Sequence, residues 1–153
     1  MRLILQRVSS ASVRVEGETI ASIGVGILVL VGVEKGDGAK QVTRAADKLL
    51  HLRIFEDDEG RMNRDLLQAG GSLLVVSQFT LAGSLAKGRR PSFGTAEVPE
   101  RAEPLIHQLV EELGRHGAPV ETGRFRSKME VRLVNDGPVT FILDLAPETQ
   151  RPA

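Results

Sequence analysis

The feature that most constrains this chain is a continuous apolar run over residues 27–33, bounded by Gly26 and Gly36. A run of this length suits a β-strand, whereas a buried helix needs about 10 residues or more. Successive side chains of a strand point to opposite faces, so an apolar run without alternation is buried on both of them. The sequence therefore predicts a strand at the centre of a sheet.

Other segments have the extended character of strands. In residues 12–15, Val13 and Val15 alternate with Arg14, and a turn at residues 16–18 predicts an early antiparallel pair. Residues 135–138, Asn-Asp-Gly-Pro, are turn-like and separate the last two predicted strands. The predicted strands besides the central one are residues 3–8, 12–15, 73–76, 129–134 and 139–145.

Two segments keep the three-and-four spacing of apolar residues that marks one face of a helix. The first covers residues 38–52, and the second begins at Pro99 and ends at Gly114. The loop over residues 81–98 is rich in Gly, Ser and basic residues, and loops of this length usually carry function.

The order of these elements predicts an α+β fold with a mostly antiparallel, curved, barrel-like β-sheet and two covering helices. The chain has 153 residues, which suits one domain, over residues 1–147, followed by a short polar tail over residues 148–153.

Composition excludes several classes of function. The 20 Lys and Arg balance the 20 Asp and Glu, so any RNA contact has to come from a local patch. Cysteine is absent, which excludes thiol nucleophiles and zinc-thiolate sites. Tyr and Trp are absent too, which argues against a base-stacking platform. The first ten residues lack a long apolar core, and we expect a soluble cytoplasmic protein.

Acid-base side chains form no convincing site. His51, His107 and His116 lie at or near the helices without metal or triad spacing, which favours structural or solvated roles. The acidic run over residues 56–59 beside Gly60 favours a solvated hairpin tip over a metal site. We expect neither a metal nor another cofactor.

Two short segments are better candidates. Residues 77–81, Ser-Gln-Phe-Thr-Leu, end an apolar strand with two hydroxyls and an amide, which offers donors to a ligand. The alternative is local hydrogen bonding that closes the strand. At Gly137-Pro138, glycine has no Cβ and proline no N–H, so two carbonyls can be presented unobstructed. The alternative there is a plain turn.

Basic residues form a third feature. Residues 124, 126 and 128 would share one side of an extended segment, and they would either meet phosphates or form a solvated face. The basic residues concerned are Lys87, Arg89, Arg90, Arg124, Arg126 and Lys128.

Four stretches together resemble the D-aminoacyl-tRNA deacylase family, also called the D-tyrosyl-tRNA deacylase family. They are LILQRVSSASVRV, SQFTLAG, KGRRPSF and NDGPVTF, and they extend over nearly the whole chain. SQFT at a strand end combined with the later Asn-Asp-Gly-Pro-Val-Thr is the specific part of this pattern.

The resemblance implies a homodimer whose active site joins Ser77, Gln78, Phe79 and Thr80 of one subunit to a cis Gly137-Pro138 of the other. In such a site the two carbonyls would hold the substrate ammonium and exclude L side chains, while D-residues and glycine pass. The expected partners are a second copy of the chain and the aminoacylated 3′ end of tRNA, with no membrane or DNA.

The same resemblance assigns supporting roles. Arg7 would support the Gly-Pro unit, the alternative being an exposed strand residue. Phe125 and Met129 would lie near the adenine. Phe79 and Thr80 N–H groups would stabilise the oxyanion, and the tRNA 2′-hydroxyl would assist the attack, because no base stands beside Thr80.

The sequence departs from the family over residues 125–129, where Arg126 and Lys128 add charge and leave the local pocket geometry open. Two other possibilities remain at this point. One is a relative whose Gly-Pro bond is trans, with a roomier pocket. The other is a tRNA-binding module without catalysis.

Overall fold

The structure is a computed structural model and describes residues 1–147. The predicted tail, residues 148–153, lies outside the described residues. Along the chain the elements are β1 (Arg2–Val15), β2 (Glu18–Ile23), β3 (Gly26–Gly32), α1 (Ala39–His51), β4 (Phe55–Glu56), β5 (Met62–Arg64), β6 (Ser72–Ser77), a 3-10 turn (Phe79–Ala82), α2 (Pro99–Arg115), β7 (Val120–Thr122) and β8 (Glu130–Asp144).

The main sheet confirms the predicted fold class. Its strand order is β2-β1-β3-β6-β7, with β8 on the other edge of β1, and it curves into a nearly closed, barrel-like form. The apolar run forms β3, which lies between β1 and β6. The sheet is mixed, because β6 is parallel to both β3 and β7. Helical crossovers cause this: α1 lies between β3 and β6, and α2 between β6 and β7.

The start of the chain forms one strand where two extended segments were predicted. β1 is 14 residues long and pairs with β2 through a turn at Glu16 and Gly17, whose φ angles are 51° and 80°. Two residues with positive φ match the twist of a two-residue hairpin. The predicted turn at residues 16–18 is confirmed, but its second strand, β2, was not among the predicted strands. The break expected between residues 8 and 12 is replaced by register shifts against β8.

The end of the chain corrects the prediction of two strands around a turn. Both halves pair with the same strand, because Gln6 of β1 faces Thr140 and Val8 faces Asn135. The chain therefore keeps its direction, and β8 is one strand of 15 residues. Residues 136–139 of β8 lie between these two pairs, opposite the single residue Arg7 of β1, and we call residues 135–139 the bulge.

Two hydrophobic cores flank the sheet, and β6 contributes to both. Leu73 and Val75 pack in the larger core beneath the helices, whereas Leu74 and Val76 pack in the smaller core enclosed by β1 and β2. Side chains alternate along a strand, so Ser77 continues the helix-facing row. The end of β6 therefore lies between the larger core beneath the helices and the smaller core enclosed by β1 and β2.

Candidate active site

β6 leads directly into the segment Ser77-Gln78-Phe79-Thr80, which we call the strand-end segment. The Gln78 N–H donates to the carbonyl of Val31 at 2.8 Å, which extends the pairing with β3 by one residue. The chain then turns into the 3-10 turn, whose first bond joins the Leu81 N–H to the Gln78 carbonyl at 3.2 Å.

This turn leaves two backbone donors unused. The first N–H groups of any helical turn have no carbonyl partner inside it. Within residues 1–147, the N–H groups of Phe79 and Thr80 make no hydrogen bond to the protein. Both residues are exposed. The strand-end segment therefore offers a pair of adjacent donors to a ligand oxygen.

On the side of the strand end that faces residues 125–131, the side chains supply no general base. The Gln78 amide donates to the Thr80 hydroxyl, and an amide nitrogen does not accept a proton. A cavity of about 550 Å³ adjoins the segment, and we call it the strand-end cavity. No carboxylate or imidazole lines it. Its lining residues are Val76, Ser77, Gln78, Phe79, Pro99, Phe125, Arg126, Ser127, Lys128, Met129 and Val131.

The bulge presents the second candidate group. The Gly137-Pro138 bond is cis, and both residues are exposed. Gly137 has φ +148°, and a Cβ there would lie 2.6 Å from Cγ2 of Val139. Only glycine fits this backbone without displacement. The Asn135 carboxamide closes the bulge from within, because its Oδ1 accepts the Val139 N–H at 2.8 Å.

Arg7 supports the bulge from beneath. The residue is 5% exposed, so the alternative of an exposed strand position is wrong. Its Nε donates to the Asp136 carbonyl at 2.9 Å, and its Nη1 to the Ile54 carbonyl at 2.7 Å. Its Nη2 lies 3.7 Å from a Glu56 carboxylate oxygen. A planar guanidinium thus joins the bulge to the hairpin of β4 and β5.

Within one chain the two candidate groups lie apart. Ser77 is level with Leu3 of β1, through Val31, whereas the bulge lies opposite Arg7. Four residues along a strand correspond to about 13 Å. The groups also lie on opposite sides of β1, with β3 between β1 and β6. A single small ester cannot contact both groups of one chain.

The residues assigned to the nucleotide lie beside the strand end. Phe125 and Met129 both line the strand-end cavity and are half-buried. The expectation that residues 124, 126 and 128 share one side of an extended segment is wrong. The segment is a turn in which the Ser127 N–H donates to the Arg124 carbonyl, and Arg126 has φ 60°. Arg126 and Lys128 line the cavity.

The remaining titratable side chains considered in the sequence lie in the β4–β5 hairpin and on the helices. The acidic run over residues 56–59 begins in β4 and continues into the tip of the β4–β5 hairpin, and no group of three or more metal-ligating side chains occurs within the described residues. His51 ends α1, His107 lies in the middle of α2 and His116 follows it. No helix in the described part of the chain is long and apolar enough to cross a membrane.

Some contributing residues escaped prediction. Asn135 belongs to the turn-like motif, but no role was predicted for its side chain, although Asn is a natural side-chain acceptor for a nearby N–H in such a turn. Phe93, in the long loop, packs against Phe79 with ring centroids 5.1 Å apart. Ile54 acts through its carbonyl, which no sequence pattern reveals.

Comparison with known proteins covers nearly the whole chain. A family model described as D-Tyr-tRNA(Tyr) deacylase matches residues 4–144. The chain belongs to this family. A D-aminoacyl-tRNA deacylase of Geotalea uraniireducens is 53% identical, over 99% of this chain and 97% of the relative. One from Thermomicrobium roseum is 57% identical, over 95% of each.

Two solved structures share the fold of this chain over nearly its whole length. A c-Myc DNA Unwinding Element Binding Protein is 38% identical, with a TM-score of 0.90 over 95% of this chain and 99% of that one. A structure titled as a probable eukaryotic D-amino acid tRNA deacylase has a TM-score of 0.80 over 94% and 98%. Its identity is 19%, so this second match supports the fold alone.

Proposed function

We propose that this member of the deacylase family is an aminoacyl-tRNA editing hydrolase that removes D-amino acids and mischarged glycine from tRNA. The observation that carries the proposal is the pair of free N–H groups at Phe79 and Thr80, in a chain similar to D-aminoacyl-tRNA deacylases over its length. Hydrolysis of the ester passes through a tetrahedral oxyanion, which such a donor pair stabilises.

Water activation is assigned to the substrate. The strand-end cavity has no carboxylate or imidazole in its lining, and the Thr80 hydroxyl has only the Gln78 amide beside it. The 2′-hydroxyl of the terminal adenosine lies next to the ester on the same ribose. It is therefore the group best placed to orient or activate the attacking water. Ser77 and Gln78 orient the substrate.

Chiral selection is assigned to the bulge. Carbonyls of Gly137 and Pro138 accept hydrogen bonds from the substrate ammonium and occupy the space that an L side chain would need. Rigid backbone suits this task, and Arg7 and Asn135 both hold the bulge in place. A D side chain projects away from the carbonyls, and glycine has no side chain to exclude.

The active site needs two copies of the chain in this proposal. The separation of the strand-end segment from the bulge within one chain supports a composite site, in which each subunit supplies one group. A homodimer would also cover the exposed apolar side chains of β8, which a monomer would leave in water. These are Leu133, Val134, Phe141 and Ile142.

The tRNA end is placed in the strand-end cavity. Phe125 and Met129 offer an apolar surface to the adenine, and Arg126 and Lys128 offer charge to the phosphates. A cytoplasmic location follows from the substrate, because aminoacyl-tRNA is made and used there.

The direct test is hydrolysis of matched substrates. The chain should deacylate D-Tyr-tRNA and Gly-tRNA and leave L-Tyr-tRNA intact. Equal cleavage of L- and D-Tyr-tRNA would refute chiral exclusion. Binding of tRNA with no deacylation above the buffer rate would instead establish the non-catalytic binding module.

Subunit mixing tests the composite site. Phe79→Pro removes a donor N–H from the strand end, and Gly137→Ala displaces the bulge. Each variant alone should be inactive on D-Tyr-tRNA. Co-refolded mixtures should regain about a quarter of the wild-type activity, because half of the random dimers are mixed and each has one intact site. A mixture as inactive as its components would place the whole site within one chain.

A further inference from the structure

A second cavity lies on the helix side of the strand end, and none of the roles above uses it. Its volume is about 270 Å³, and we call it the helix-side cavity. Ser77 and Phe125 line both cavities, so the two lie next to each other. The strand alternation explains their arrangement: Val75 faces the helix-side cavity, and Val76 faces the strand-end cavity.

The lining of the helix-side cavity suits a flat group with polar edges. Ile106 and Val110 of α2 form an aliphatic wall, and Phe125 provides a ring. The polar side chains that also line it are Ser77, His107, Glu111 and Thr122. An aromatic ring and an aliphatic wall with a few polar groups are the features with which proteins hold an unstacked base.

The terminal adenosine does not need this cavity. Its ribose carries the ester that must reach the Phe79 and Thr80 N–H groups, and Phe79 lines the strand-end cavity and is absent from the lining of the other. The strand-end cavity is also the larger, at about 550 Å³ against about 270 Å³. The helix-side cavity is left for the next group along the substrate.

We propose that the helix-side cavity binds the base of the penultimate nucleotide of the tRNA 3′ end, which is a cytosine in the CCA terminus. This inference rests on the proposed function. Phe125 then separates the two bases, with adenine on one side and cytosine on the other. With such a subsite the enzyme would recognise two nucleotides of the acceptor end rather than one.

Charge at the junction of the cavities supports this assignment. Arg124 and Arg126 flank Phe125 in the chain, and both are exposed. The phosphate that links the last two nucleotides must pass Phe125 if the two bases lie on either side of it. Two guanidinium groups beside that point neutralise a phosphate, in a protein whose net charge is zero.

The test compares three substrates that carry the same D-aminoacyl ester: adenosine, the trinucleotide CpCpA, and a trinucleotide with an abasic penultimate position. In the wild type, removal of the penultimate base should lower kcat/KM by about tenfold, the effect of one stacked base. Val110→Phe fills the cavity with a ring, and His107→Ala removes one of its polar side chains. Both variants should reduce the ratio of kcat/KM for CpCpA to that for the abasic substrate toward one.

Gln108→Ala is the matched control, because Gln108 is exposed on the same helix and does not line the cavity. It should keep the wild-type ratio. If the ratio were already near one in the wild type, or stayed unchanged in both cavity variants, the subsite would be excluded. His107→Ala covers the case in which Val110→Phe does not fold.

A failure of the proposed function is a separate result, in which the wild type hydrolyses none of the three esters. Calorimetric titration with uncharged CpCpA and with its abasic analogue then tests whether the cavity binds the penultimate base. The wild type should bind CpCpA about tenfold more tightly, and His107→Ala should lose this difference. Equal binding of both oligonucleotides by the wild type would overturn the inference.

Discussion

The strand-end segment and the bulge differ in how firmly the protein holds their backbone groups. The strand-end segment keeps its Phe79 and Thr80 N–H groups free of protein partners, and Phe79 is 61% exposed. The bulge is held by Asn135 and by the buried Arg7. An oxyanion forms only during the reaction, so its donors must be available, whereas carbonyls that exclude a side chain must not move. We therefore expect free hydrogen-bond donors in the strand-end segment and firmly held acceptors in the bulge.

This comparison predicts that changes at the strand end affect the rate, whereas changes beneath the bulge affect stability and selectivity. The strand end depends on backbone groups that a side-chain substitution does not remove. The bulge depends on Arg7, a β1 residue whose side chain contacts two other parts of the chain, the bulge and the β4–β5 hairpin.

The largest effect is expected from Phe79→Pro. Proline removes the N–H and suits the first position of a helical turn. Gln78, with φ −144° and ψ 81°, lies outside the helical region that a following proline disfavours. We expect kcat on D-Tyr-tRNA to fall by about 10²–10³-fold, the loss typical of one oxyanion donor.

Phe79→Ala is its control, because it removes the ring that packs on Phe93 and keeps the N–H. Alanine should lower kcat far less than proline. Equal losses in the two variants would assign the role to the ring instead of the backbone.

The next effect is expected from Arg7→Met. Methionine has a similar length and leaves the Ile54 and Asp136 carbonyls without their donor. Loss of a hydrogen bond to a buried group costs about 1–3 kcal/mol of unfolding free energy. The ratio of kcat/KM for D- over L-Tyr-tRNA should fall in parallel, because the bulge loses its support.

Arg2→Met, on the same strand, is the matched control. Arg2 forms an ion pair with Asp144 at 2.7 Å, but both side chains are exposed, and such pairs contribute about 0–1 kcal/mol. Denaturant unfolding and substrate competition measure the two quantities. A loss of selectivity in Arg2→Met as large as in Arg7→Met would mean that the bulge has no specific support.

A smaller effect is expected from Thr80→Ala, which keeps the N–H and removes the hydroxyl. The hydroxyl accepts a hydrogen bond from the Gln78 amide, and a neutral bond of this kind changes a rate by about tenfold or less. Single-turnover hydrolysis of D-Tyr-tRNA measures it. A loss as complete as in Phe79→Pro would support a threonine nucleophile.

The sequence predicted the parts of the fold that depend on local patterns. The uninterrupted apolar run over residues 27–33 was enough to predict the central strand. The spacing of apolar residues located both helices to within a few residues. The bulge was missed because its geometry depends on β8 pairing with β1 more than 120 positions away, in the same direction on both sides of Gly137-Pro138.

In the candidate site, too, features that depend on local sequence were predicted and features that depend on distant contacts were not. SQFT was recognisable as a strand end, because an apolar run stops there. The burial of Arg7 could not be predicted from the sequence, because it depends on the Ile54 carbonyl, 47 residues away. The short strands β4, β5 and β7 were missed because two or three residues cannot show an alternating pattern.

The smallest effect is expected at the tip of the hairpin that supports Arg7. The pKa of Asp57 lies below its ordinary value, first because its carboxylate accepts the Arg61 N–H at 3.0 Å, and also because it accepts the Glu59 N–H at 2.9 Å. A carboxyl whose pKa is lowered by folding stabilises the fold above its unfolded pKa of about 3.9 and loses that contribution as the pH falls through the folded value. Asp57→Asn should therefore lower the melting temperature slightly at pH 7 and leave it equal to the wild type in strong acid. It should not change the D over L ratio, because Arg7 contacts the base of the hairpin, at Ile54 and Glu56. A ratio reduced as much as in Arg7→Met would show that the support of the bulge extends to the hairpin tip.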